Sequence, residues 1–88
     1  MIYRVYYWSD LFKDDGAIKP SQKTFYETEL ESALYIYNQW KSGFEKKKDV
    51  PSWVILCMMH ELDGKIIEIK KKYEQGEPMI PIYEMEVN

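Results

Sequence analysis

Trp53-Val54-Ile55-Leu56-Cys57-Met58-Met59 is the stretch that decides the fold, because it is apolar at every position. A short apolar run of this kind is typical of a β-strand that is covered on both faces. The rest of the chain predicts one helix, and one helix covers one face of a sheet. The other face is therefore predicted to need a second cover, which either the C-terminal segment or a partner molecule would supply.

The residues after this strand predict a β-hairpin. Asp63-Gly64 is the strongest short signal for a tight turn between two strands, here residues 53–62 and 65–73. A two-residue loop sets the register. It places His60 opposite Ile67, Met58 opposite Ile69 and Val54 opposite Tyr73. The face that meets the helix is then Val54, Leu56, Met58, Ile67, Ile69 and Tyr73, and the reverse face carries Trp53, Ile55, Cys57 and Met59.

The residues before this strand predict two strands and the helix. Residues 2–8 and 22–27 have strand composition, and the segment between them reads as a loop with turn residues. Thr28 and Glu31 have the spacing of a capping box, so the helix is predicted over residues 29–41. Its apolar side chains fall on one face. Ser42-Gly43 is predicted to end it, with Gly43 in the left-handed conformation.

These elements predict an α+β fold of ββαββ order. An antiparallel sheet of four to five strands would pack on a single helix, and residues 1–88 would form one domain. Residues 74–88 are predicted to be a C-terminal arm or an edge strand, because Pro78 and Pro81 exclude a central strand. Two positions remain open for this arm, over its own sheet or against a second subunit.

Composition narrows the functional classes. The chain has a net charge of −3 and one cysteine, so an intramolecular disulfide is excluded and a cytoplasmic location is predicted. The N-terminal residues lack the pattern of a secretion signal. No apolar stretch approaches the ~20 residues that a membrane span requires, so no membrane association is predicted.

The residues that carry chemistry do not form a pattern typical of catalysis. His60 is the only histidine and its neighbouring carboxylates alternate between faces, so no metal site is predicted. Cys57 lies in an apolar strand without a base beside it in sequence. No glycine-rich phosphate loop is present. We therefore predict that the protein is not an enzyme and has no cofactor.

A resemblance covers roughly residues 22 to 70. It rests on Thr24-Phe25, on Leu30-Glu31-Ser32-Ala33-Leu34-Tyr35-Ile36-Tyr37-Asn38, on Val54-Ile55-Leu56, and on Leu62-Asp63-Gly64-Lys65-Ile66-Ile67-Glu68. This pattern resembles that of small phage and mobile-element proteins of low-GC bacteria. The resemblance implies an accessory role, for example inhibition of a host defence complex.

The leading functional hypothesis is a non-enzymatic protein-binding domain, expected to form a homodimer. Its interface is predicted from the apolar reverse face, an exposed helix tyrosine and the acidic C-terminal segment, which would suit a basic partner. These residues are Trp53, Ile55, Cys57, Met59, Tyr35, Tyr83, Glu84 and Glu86.

The alternative hypothesis is a small nucleic-acid-binding module. Tyrosines on a sheet can stack on bases, and two runs of lysine can contact phosphates. The predicted contacts are Lys46, Lys47, Lys48, Lys70 and Lys72. In a strand, however, Lys71 points away from its two neighbours, and lysines also protect a free sheet edge from unwanted pairing.

Overall fold

A computed structural model describes residues 1–82 and confirms the predicted α+β class. A four-stranded antiparallel sheet packs against one α-helix. The elements, in chain order, are β1 (Ile2–Ser9), a 3₁₀ helix (Asp10–Asp15), β2 (Ser21–Tyr26), a 3₁₀ turn (Glu27–Glu29), α1 (Leu30–Glu45), β3 (Ser52–Met59) and β4 (Ile66–Gln75). Among these residues, no helix has the length and apolar content that a membrane span requires.

The strand order is β2-β1-β3-β4, which places β1 and the apolar strand β3 in the centre. Both β2 and β3 pair antiparallel with β1, so they run in the same direction. Helix α1 connects them and crosses β1 on one side of the sheet. This arrangement gives β3 a cover on its helix side, as its sequence requires, and leaves the reverse side to other parts of the chain.

The helix side of the sheet is closed by an aromatic and aliphatic core. Val5, Val54 and Leu56 are buried beneath the apolar face of α1. Near the C-terminal end of α1, the rings of Tyr7 and Trp40 stack with centroids 4.0 Å apart. Phe12 of the 3₁₀ helix meets Trp40 edge to face at 6.0 Å. The 3₁₀ helix, in a segment predicted to be an irregular loop, is therefore held in place by the core.

The reverse side around Trp53 is covered by residues 76–82, which are the described part of the C-terminal arm. Gly76 has a φ of 67° and lies against Pro51, where a Cβ would come within 3.2 Å of the proline. Trp53 Nε1 donates a hydrogen bond to the carbonyl oxygen of Ile80, and Ile82 packs into a buried cluster with Trp8, Trp53 and Ile55. Of the two positions that the sequence left open, the described part of the arm takes the first, over its own sheet.

The β3–β4 hairpin differs from the predicted register near its loop. Val54 pairs with Tyr73 as expected, but shifts follow Leu56 and Met58, so that Cys57 pairs with Ile69 and Met58 with Glu68. The prediction that Met58 faces Ile69 and His60 faces Ile67 is therefore wrong. The cause is a longer loop, in which the backbone N–H of His60 donates to the carbonyl of Lys65. Ile69 consequently lies on the reverse face.

The helix also begins and ends differently from the prediction. The stabilising side-chain contact lies in the 3₁₀ turn before α1, where Glu29 Oε1 accepts a hydrogen bond of 2.8 Å from the backbone N–H of Tyr26. The predicted capping box of Thr28 and Glu31 is thus wrong. Gly43 does not terminate α1, which continues to Glu45, and its φ is not positive. It lies on the outer surface of the helix instead.

Candidate partner-binding site

The reverse face of β3, predicted as the main partner or dimer interface, offers no accessible surface. Trp53, Ile55, Cys57 and Met59 are each at most 1% exposed within one subunit. The arm, the neighbouring strands and Ala17 supply the packing around Trp53 and Ile55. The prediction that these four residues form an interface is therefore wrong. Folding already buries their apolar surface, so a partner cannot bury it again. Tyr83, Glu84 and Glu86 lie outside the described residues.

The thiol of Cys57 is expected to be unreactive in the folded chain. Burial raises the pKa of this thiol to about 12, and the nearby Arg4 offsets only part of this effect. Its Sγ lies 3.4 Å from the carbonyl oxygen of Arg4, to which it donates a weak hydrogen bond. A thiol must ionise to act as a nucleophile or a metal ligand. Within residues 1–82 no group of three or more His, Cys, Asp or Glu side chains is placed to hold a metal ion.

The raised pKa of Cys57 predicts a loss of stability at alkaline pH. Because the folded chain keeps this thiol protonated between pH 9 and 12 while the unfolded chain releases the proton, the free energy of unfolding should fall as pH rises through that range. Cys57→Ala should make this decline less steep, by up to about 1.4 kcal/mol per pH unit. Urea unfolding at a series of pH values measures both slopes.

Part of the alkaline decline should persist in the Cys57→Ala variant, since burial also raises the pKa of Tyr7 and Tyr37. In the wild-type protein at pH 8, a thiol reagent such as Ellman's should react only after denaturant is added. Rapid reaction in the native state, or identical slopes for the two proteins, would contradict the buried position of this thiol.

The lysines predicted to bind nucleic acid are exposed but do not share one surface. Lys46, Lys47 and Lys48 follow α1 in a turn that Gln75 fixes, since its Nε2 donates to the carbonyls of Lys47 and Val50 at 2.9 and 2.7 Å. In β4, Lys72 pairs with Ile55 and so points to the reverse side, whereas Lys71 points to the helix side. Lys70 forms an ion pair of 3.3 Å with Glu68.

The sheet tyrosines are not available as a stacking platform. Tyr7 is buried beneath Trp40. Tyr3 and Tyr6 are half-buried in the helix-side and reverse-side clusters respectively. The exposed tyrosines of the described chain are Tyr26 and Tyr35, which lie at the start and on the outside of the helical region. Base stacking on the sheet face therefore has no geometric support.

The surface that does bring predicted residues together runs along the outside of α1. Tyr35 is 62% exposed there, and its hydroxyl accepts a hydrogen bond of 2.7 Å from Gln39 Nε2. A shallow hollow of about 500 Å³ lies beside it, and we call it the polar hollow because residues with polar side chains supply most of its lining. Its lining residues are Tyr35, Asn38, Gln39, Ser42, Gly43 and Lys46. Two residues chosen from the sequence for different reasons, Tyr35 and Lys46, thus line the same depression.

A second, apolar hollow of about 240 Å³ lies between α1 and the 3₁₀ helix. Its principal lining residues are Leu11, Phe12, Trp40, Gly43, Phe44 and Lys47. Leu11 is 42% exposed and forms one wall, while the aromatic rings form the floor. Gly43 lines both hollows. We call the two hollows together the Gly43 groove.

The Gly43 groove has a distinct charge. Of the described residues that line it, two carry a charge, Lys46 and Lys47, and neither hollow has a carboxylate in its lining. The carboxylate of Asp10, on the neighbouring 3₁₀ helix, is not in the lining; its Oδ1 accepts hydrogen bonds from Trp8 Nε1 and the backbone N–H of Met79. The groove is therefore apolar in its floor and positive at its rim.

Sequence reasoning missed the apolar hollow because Leu11 and Phe12 lie in a segment that reads as a loop. Nothing in their local pattern shows that they lie beside Trp40. A signal was available in Gly43, since α1 continues beyond it: a glycine inside a helix lowers helix stability and has to be explained by something other than helix formation. Interpreting Gly43 as a helix terminator removed that signal.

No protein-family model matches the chain, and comparison with curated proteins and with solved structures finds no match. The resemblance to phage and mobile-element proteins therefore stays a prediction. The candidate site is defined by geometry alone: one helix face, one 3₁₀ helix and the groove between them.

Proposed function

We propose that this protein is a non-catalytic protein-binding domain that acts by occupying a partner's surface through the Gly43 groove. The observation that carries the proposal is the groove itself, in which an apolar hollow and a polar hollow meet at one residue on the outer side of α1. Binding surfaces combine an apolar centre with a polar rim in this way. Steric occupation is also the action expected of a phage or mobile-element accessory protein that blocks a host complex.

Gly43 supports the proposal because the fold does not require a glycine there. Its φ is not positive, and a Cβ built on it would meet open space. In a helix interior, glycine is less stable than alanine by about 1 kcal/mol. Both hollows border Gly43, and the absence of a side chain there leaves the helix surface between them low, which is the property that a bound segment needs.

A second copy of the chain is not needed to complete the fold. The homodimer was predicted to bury the reverse face of β3, and that face is already covered within one subunit. The proposal therefore assigns binding to a different protein, and the oligomeric state becomes an independent measurement by light scattering.

The test is to fill the groove without damaging the helix. Gly43→Phe places a ring between the two hollows and should keep or slightly raise the free energy of unfolding, since phenylalanine is a better helix former than glycine. We expect at least a tenfold loss of partner binding, measured by quantitative affinity capture from the native cell with wild type and variant as bait.

The matched control is Ser32→Phe, which adds the same ring at an exposed position of α1 outside the groove. A partner captured by wild type and by Ser32→Phe but lost with Gly43→Phe supports the proposal. Equal capture by all three proteins contradicts it.

A second candidate function, nucleic-acid binding, is favoured by one observation. Gln75 holds the turn of Lys46, Lys47 and Lys48 in a fixed position, which suits repeated contact with phosphates. Affinity for a single-stranded oligonucleotide would then fall steeply with salt and fall further when these lysines are changed to glutamine. A flat salt response would reject this candidate.

A further inference from the structure

We propose that the segment recognised by the Gly43 groove is an acidic peptide with one bulky apolar side chain. This inference rests on the proposed function and specifies its partner. The apolar side chain would enter the hollow between α1 and the 3₁₀ helix, and its acidic neighbours would lie against Lys46 and Lys47.

The size of the apolar hollow indicates a single anchoring side chain. Its volume of about 240 Å³ is below the range of roughly 300–1,000 Å³ that is typical of pockets for small molecules and cofactors. It shares Gly43 with the polar hollow, and Gly43 has no side chain to separate the two, so that a bound chain can continue past this residue. A peptide side chain on an extended backbone meets both conditions.

The walls of the hollow favour a large apolar or aromatic anchor. Trp40 is half-buried, with Phe12 edge to face at 6.0 Å and Phe44 tilted at 5.7 Å. Tyr7 stacks on Trp40 and fixes its ring. Rings held in this way form a rigid surface, and a further ring or branched side chain can add an edge-to-face contact at little cost in entropy.

The charges at the rim favour acidic neighbours. Lys46 lines the polar hollow and Lys47 the apolar one, so a peptide that crosses Gly43 meets a lysine on each side of it. Each lysine is exposed and belongs to the turn that Gln75 holds. With no carboxylate among the lining residues in the part of the chain that the structure describes, the lysines attract negative charge and repel a basic segment.

The experiment uses a display library of random dodecapeptides selected on the full chain and counter-selected on Gly43→Phe. We expect the enriched peptides to carry net negative charge and one Phe, Trp, Leu or Ile. Replacing that residue by alanine should weaken binding about tenfold, since each side chain of this kind contributes at least that much when buried. Fluorescence polarisation of the labelled peptide measures the affinity.

The charge is tested on the protein side with a matched pair of variants. Lys46→Gln with Lys47→Gln should weaken the selected peptide about fivefold, as expected for two exposed ion pairs. Lys19→Gln with Lys23→Gln makes the same change in net charge at exposed positions outside the groove and should leave the affinity unchanged.

Tryptophan fluorescence shows where the anchor binds. Trp8 and Trp53 are buried on the reverse side of the sheet, whereas Trp40 lines the apolar hollow. An acidic peptide carrying the anchor should therefore change the emission, and the spectrum of Trp40→Phe should not respond to the same peptide.

The outcomes separate the inference from the proposed function. Suppose that the selected peptides bind wild type but not Gly43→Phe. If they are neutral or basic, or bind the lysine variant as tightly as wild type, the partner is not acidic and the proposal of protein binding stands. Selection that never distinguishes wild type from Gly43→Phe overturns both. A single-stranded oligonucleotide that displaces the peptides and binds more tightly overturns the inference in favour of nucleic acid.

Discussion

Deleting residues 76–88 should lower the free energy of unfolding by about 4 kcal/mol or more, enough to unfold much of the population at 37 °C. The deletion removes Ile82, which is 8% exposed, and uncovers part of the buried surface of Trp8, Trp53 and Ile55. It also removes the acceptor of the Trp53 indole N–H. Thermal and urea unfolding followed by circular dichroism measure the loss.

The same loss should appear in a point variant. Ile82→Ala is expected to cost about 2–4 kcal/mol, as for other buried isoleucines, while Met79→Ala on the same arm should cost less than about 1 kcal/mol because Met79 is 54% exposed. A truncated chain as stable as the full one would show that the arm does not close the sheet. Any effect of the deletion on partner binding has to be judged after this loss of stability is measured.

Phe12→Ala should lower the free energy of unfolding by about 3 kcal/mol. Phe12 lies at the end of the sheet and contacts both of its faces. Its ring meets Tyr7 and Trp40 on the helix side and Trp8 on the reverse side, with ring centroids 5.8–6.3 Å apart. Its removal leaves a cavity at the point where the two cores meet. Urea unfolding measures the change.

Leu11→Ala is the matched control for Phe12→Ala. Leu11 belongs to the same 3₁₀ helix but is partly exposed, so its loss should change stability by less than about 1 kcal/mol. Leu11→Ala also removes a wall of the Gly43 groove, so it should weaken a bound peptide in a protein whose stability is little changed. Equal destabilisation by both changes would contradict the position of Phe12 between the two cores.

The hairpin shows what the sequence predicts well and where it fails. The apolar run of residues 53–59 and Asp63-Gly64 predict two strands, and Val54 pairs with Tyr73 as expected. The loop length is a different matter, since Asp63 Oδ1 accepts from the backbone N–H of Lys65 and stabilises a longer turn. The bulges that follow depend on packing across the whole sheet. Local sequence therefore gives the pairing near Val54 but not the face of Ile69.

The candidate site fails to be predicted for a related reason. Exposure of Tyr35 follows from helical periodicity, and the structure agrees. The cover of β3 depends instead on which side of the sheet the arm takes, and Pro78 and Pro81 exclude a central strand without choosing a side. The apolar hollow depends on a contact between Trp40 and a segment without regular periodicity. Both features are set by tertiary packing between distant residues.

The closing role of the arm has a consequence for synthesis. Trp8 and Trp53 pair across β1 and β3. Both precede Ile80 and Ile82 in the sequence, so they emerge from the ribosome first. Until the arm follows, a nascent chain presents these two indoles on an open sheet face, and exposed apolar surface of this kind is prone to aggregation. Final folding therefore waits until residue 82 has left the exit tunnel, so that the sheet is covered after the arm has been made rather than strand by strand.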